Sequence, residues 1–154
     1  MTFPIQDQIK NAIEDANPKV IFSVSRTSGN VNAKTAIFFS EANVNEGGGI
    51  DTGSGRFTGF TVPVSGIYSF SFRGVSSIDT EDSARRGIEV RKNNAKQFRI
   101  SEPNYKGERN EILSATWIMN LSRNDVISIY AAEGGFYGSP INPILFNGHL
   151  LMKQ

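Results

Sequence analysis

Polar and apolar residues alternate most strictly between Gly66 and Arg73. Tyr68, Phe70 and Phe72 fall on one face, and Ser69, Ser71 and Arg73 on the other. Three rings at period two mark a half-buried strand, and rings of this size belong at the centre of a β core. The stretch before it, from Phe57, reads as strand and then tight turn, punctuated by Pro63 and Gly66. The same period returns at Val20, Phe22 and Val24, in residues 35–40, and at Ile88 and Val90. Asn93-Asn94 turns that last strand into residues 95–100. Leu113, Ala115, Trp117, Met119 and Leu121 share one face of a long strand. A turn at Ser122–Asp125 leads into residues 126–132, and residues 144–152 close the chain.

Between these strands lie Gly-rich or polar segments, 45–56, 76–87, 101–110 and 133–143, which read as loops. Residues 4–16 break the pattern. Ile5, Ile9, Ala12 and Ala16 fall at helical spacing, Pro4 suits a first helical position, and Asn17-Pro18 ends the run. The pattern predicts a short N-terminal helix within residues 1–18 and an all-β domain over residues 19–154. That domain is expected to be a sandwich of about ten strands in two antiparallel sheets. The helix spacing is also that of a coiled-coil seam under two heptads long. Ile at both seam positions leans towards trimers, while a helix docked on its own domain or a frayed tail is the plainer reading.

At 154 residues the chain is long enough to bury one core. A net charge of +1 gives no reason to expect a nucleic-acid partner. The absence of cysteine excludes a disulfide framework and thiolate chemistry. No apolar run reaches the roughly 20 residues of a membrane span, so no membrane insertion is expected. The first ten residues hold no hydrophobic signal-peptide core.

The central stretch also carries a family resemblance. F-T-x-P-x-x-G-x-Y-x-F-x-F, from Phe60 through Gly66, Tyr68 and Phe70 to Phe72, resembles the signature of the globular head of complement C1q, a family related in fold to tumour necrosis factor. Phe39, Asn45, Ile50 and Phe57 follow the upstream half of that signature. Ile50 stands where the family usually has an aromatic residue or Leu, and two Phe-Thr pairs compete for one family position. Residues 144–152 resemble its final strand, matching at Phe146, Gly148, Leu150 and Leu151. The turn ending at Asp125 resembles its L-x-x-G-D-x-V hairpin, with Asn124 in place of Gly. The resemblance spans residues 20–152. It implies a jelly-roll β-sandwich, assembly as a homotrimer, secretion, and a non-enzymatic role in innate-immune recognition of microbial glycans. A cytokine- or cerebellin-like trimer that binds a protein receptor, or a matrix or surface-coat protein, is the alternative.

Candidate chemistry is sparse. The one histidine, His149, sits mid-strand, and no nucleophile-elbow motif surrounds any serine, so His149 reads as a structural or interface residue. No cofactor motif is present. The resemblance raises calcium as a ligand near Glu111, although one carboxylate is far from the six to eight oxygens calcium takes; a surface Glu is the plainer reading. Phe136 and Tyr137, set among glycines, are candidates to stack on sugar faces, with core or subunit packing as the bland alternative. Arg85-Arg86 and the pair Lys106 and Arg109 are candidates to grip carboxylates or phosphates, with solvated loop charge as the alternative.

Overall fold

The computed structural model describes residues 4–77, 85–103 and 111–154. One helix, α1 (Ile5–Ala16), precedes twelve strands: β1 (Ile21–Arg26), β2 (Gly29–Val31), β3 (Thr35–Ala36), β4 (Glu41–Glu46), β5 (Gly59–Thr61), β6 (Gly66–Ser77), β7 (Arg85–Lys92), β8 (Ala95–Pro103), β9 (Ile112–Leu121), β10 (Val126–Glu133), β11 (Gly135–Gly138) and β12 (Ile144–Lys153). β2, β4 and β11 form in segments to which the sequence pattern assigns no strand. β4 is exposed at every residue, so no buried face announces it.

All pairings are antiparallel. β4, β1, β12, β6 and β9 run side by side, and the far half of β6 also pairs β11, which pairs β2. The second sheet joins β3, β5 and β7 to β10, and β8 to β7. β5 and β6 therefore lie in different sheets. The Pro63 turn between them carries the chain across the sandwich rather than closing a hairpin. Asn93 and Asn94 both adopt left-handed backbone, with φ of 53° and 64°, which is the geometry of a tight hairpin turn between β7 and β8.

The core is a stack of rings drawn from both sheets. Phe70 lies 6.2 Å from Phe22, 6.1 Å from Phe60, 5.9 Å from Phe146 and 5.8 Å from Trp117 between ring centroids. Such offset and edge contacts add to the area these rings remove from water. The family-signature residues explain themselves here. Asn45 clamps the Gly-rich turn, donating from Nδ2 to the Ile50 carbonyl at 3.0 Å and accepting from the Ile50 N–H at 3.3 Å. Phe39 and Phe57 exchange backbone hydrogen bonds in an isolated bridge. The buried Tyr68 hydroxyl donates to the Val64 carbonyl at 2.6 Å. A Cβ on Gly148 would stand 2.4 Å from the Phe22 ring, and one on Gly66 would stand 2.3 Å from the Met152 carbonyl oxygen.

α1 stands apart from this core. Pro4 caps it, its carbonyl accepting from the Asp7 and Gln8 N–H groups, and Ile5, Ile9 and Ile13 along it are exposed.

Candidate functional site

Strand register divides the sandwich into two ends. β1 runs from Ile21, opposite His149, to Arg26, opposite Ile144. β6 starts beside Lys153 and Leu121 and ends beyond Val75, opposite Ile112. The chain thus enters the sheet and leaves it at one end, where Gln154 N–H donates to the Ser65 carbonyl. The opposite, distal end gathers Arg26, Ser77, Arg85, Glu111 and β11.

Most of the described sequence candidates meet at that distal end. Arg85 and Arg86 begin strand β7 rather than sitting in a loop. Arg86 is buried, and its guanidinium reaches the Glu102 carboxylate at 2.6 Å and the Glu111 carboxylate directly. Arg85 approaches Glu133 at 3.6 Å, and Glu133 also faces Arg99 at 3.6 Å. These cations are occupied by acids of the same chain. Lys106 and Arg109 lie outside the described residues.

Glu111 supplies its carboxylate to Arg86, while its carbonyl accepts from the Ser76 N–H and hydroxyl. One carboxylate already held by a guanidinium does not fit calcium. Among the described residues no group of three or more His, Cys, Asp or Glu is placed to hold a metal ion.

Phe136 is fully buried. Its ring meets Phe72 edge-on at 5.4 Å, beneath Gly74, so it is core and presents no face to a ligand. Tyr137, the next residue, is 44% exposed at the distal end. Period two separates the two neighbours, and only the second is available for stacking.

The outward face of the larger sheet is a second feature, and period-two reading alone hides it because it belongs to the polar phase. Ile118, Ser69, His149 and Ile21 stand in one row across β9, β6, β12 and β1. A register shift in β12 between Leu150 and Met152 turns Leu151 and Met152 outward beside Ile67. Ile118, Leu151, Met152 and Ile21 are exposed, at 64%, 50%, 60% and 43%. His149 sits within this row between Ser69 and Ile21, as a sheet-face residue. A cleft between this face and the end of α1 is lined by Ala16, Asn17, Pro18, Leu151, Met152 and Lys153. No helix among the described residues is long and apolar enough to cross a membrane.

Two antiparallel sheets with this order define a jelly-roll domain of the complement C1q and tumour necrosis factor type. The globular domain of zebrafish complement 1qA matches with a TM-score of 0.63 at 17% identity, over 88% of this chain and 99% of that one. Murine APRIL at pH 5.0 matches with a TM-score of 0.66 at 13% identity, over 86% and 99%. The Eiger TNF of S. frugiperda matches with a TM-score of 0.58 at 10% identity, over 90% and 96%. No curated protein sequence matches the chain. A family model, the C1q domain, matches residues 21–151. The chain belongs to the C1q domain family.

Proposed function

We propose that the chain is a non-enzymatic, extracellular recognition module that assembles as a homotrimer and binds glycans, microbial polysaccharide among them, through its distal loops. The observation that carries this reading is the outward face of the larger sheet. Ile21, Ile118, Leu151 and Met152 leave four large apolar side chains in water around Ser69 and His149, and exposed apolar surface gathered on one face marks interaction sites. Copies of the same chain are the natural cover, because the middle of the face carries uncharged groups, Ser69, Thr116 and Asn120 among them, with Glu46 opposite Ile21 and Lys153 next to Met152 at its edge. α1 extends the surface, with Ile5, Ile9 and Ile13 exposed along one side. A 12-residue helix is marginal alone, so the trimer is also what would steady it. Three distal ends on one rigid body would then multiply a weak single-site affinity through effective concentration.

The test is molar mass by light scattering, followed by a glycan array probed with the assembled protein. Three chains together with sugar-dependent binding is the expected result. A monomer at micromolar concentration overturns the assembly, and a blank array overturns the glycan. A second reading is a ligand for a protein receptor, built on the fold shared with both solved structures. Capture of a single protein partner, unaffected by competing sugars, would select it.

A further inference from the structure

Three segments far apart in sequence bring two arginines onto one aromatic ring at the distal end. The Arg26 guanidinium carbon lies 4.0 Å from the Phe38 ring centroid, and that of Arg56 lies 4.3 Å from the same centroid. Phe38 is the outward residue between two buried neighbours, Ile37 and Phe39. Phe38 lies in the connection between β3 and β4 and is only half-buried. Here it serves as the platform on which two cations rest.

The two cations are fixed to different degrees. Arg26 is only 9% exposed. Its Nε donates to the Ser28 carbonyl at 3.2 Å and one Nη to the Asn30 carbonyl at 2.9 Å. Arg56 is exposed. Arg85, Arg86, Arg91 and Arg99 all meet carboxylates, whereas no acid among the described residues pairs with Arg26 or Arg56. Glu41 lies across from Ser25 and is engaged by the Ser25 and Thr27 hydroxyls. Burial, and after it the charge of Arg56, hold Arg26 below the ordinary arginine value. A buried cation beside a second cation is costly unless an anion meets them.

We propose that Arg26 and Arg56, braced on Phe38, form a binding site for an oxyanion: the carboxylate or sulfate group of an acidic saccharide, or the free inorganic ion. Arg56 supplies an open fork, and Arg26, with Nε and one Nη held by carbonyls, adds its charge and its other Nη, giving charge-assisted hydrogen bonds of the kind that select planar or tetrahedral oxyanions. Asn30, whose carbonyl anchors Arg26, is registered opposite Tyr137, so the cation pair and the exposed ring belong to one end of the molecule. This deepens the glycan reading and rests on it only for the saccharide that would carry the anion.

The experiment is calorimetric titration of the whole chain with a sulfated, carboxylated oligosaccharide, its desulfated form, its carboxyl-reduced form, and inorganic sulfate. Arg56→Gln is the main variant because Arg56 is exposed and its loss spares the core; Arg123→Gln is the control on the exposed turn at the other end. The expected result is at least tenfold weaker binding in Arg56→Gln, unchanged binding in Arg123→Gln, and partial rescue by Arg56→Lys. The two singly stripped saccharides report which group the site takes. Equal affinity of wild type and Arg56→Gln for the acidic saccharide overturns the site and leaves the glycan reading standing. Binding of neutral glycans alone does the same. Saturable binding of sulfate that Arg56→Gln abolishes, with no saccharide bound, supports the site and overturns the glycan reading. No binding of any of the four probes overturns the site.

Discussion

The guanidinium of Arg86 on β7 meets the carboxylate of Glu111 at the mouth of β9, so an ion pair joins the two sheets at their distal end. Glu111→Gln removes the charge while keeping the size. A hydrogen bond to a charged partner contributes about 1.5–3 kcal/mol, and Glu102 retains part of the guanidinium's bonding. Glu111→Gln should therefore lower stability by about 2 kcal/mol, read from the urea midpoint at unchanged slope.

Gly148 has no room for a methyl group. Its added Cβ would meet the Phe22 ring at 2.4 Å and the Phe70 ring at 2.8 Å, both fixed in the core. Overpacking of this kind costs about 1–3 kcal/mol or more. Gly148→Ala should lower the melting temperature by several degrees, while Gly48→Ala, where open space surrounds the position and only the positive φ opposes it, should cost less.

Asp125 ties two turns together. Its carboxylate accepts from Asn93 Nδ2 at 3.0 Å and from the Ser122 N–H at 2.9 Å. These bonds, with Asn93 contributing most, hold the carboxyl below the ordinary aspartate value. A group depressed on folding stabilises the protein above its unfolded pKa, about 3.9, and loses that contribution as pH falls through the folded value. Stability should decline on acidification below about pH 4. Asp125→Asn should show a shallower decline in pH-dependent urea titrations, starting from a lower stability at neutral pH.

Ile118 is the most exposed apolar residue in the row with His149. Ile118→Glu places three like charges in the proposed trimer interface and should yield monomers by light scattering, with β-sheet circular dichroism unchanged. Ile9→Asn should keep the trimer but raise the concentration at which it dissociates. If Ile118→Glu remains fully trimeric, the interface lies elsewhere.

How much of this was legible beforehand follows from how each element is buried. β6, β9 and β12 each have one wet and one dry face, so their residues alternate and the pattern reads directly. β4 has no dry residue, and β2 and β11 are only three and four residues long, so neither periodicity nor length marks them. Arg86 reads as loop charge because nothing in a linear sequence shows Glu102 and Glu111 waiting for it. Phe136 and Tyr137 read alike as ring residues among glycines, and only the register with Ser76 and Val75 shows which one faces water. The Arg26–Phe38–Arg56 grouping carries no spacing signal, since its members come from three separate segments and meet only in space.

Because the chain enters β1 at Ile21 and reaches Gln154 at the end opposite the arginine pair, a tether joined after Gln154 stands clear of the distal loops. A chain fixed to a bead, a sensor surface or a longer polypeptide by its last residues would present those loops outward, all facing the same way. Attachment chemistry directed at the C-terminus is therefore the arrangement in which every captured molecule remains able to meet what is in solution.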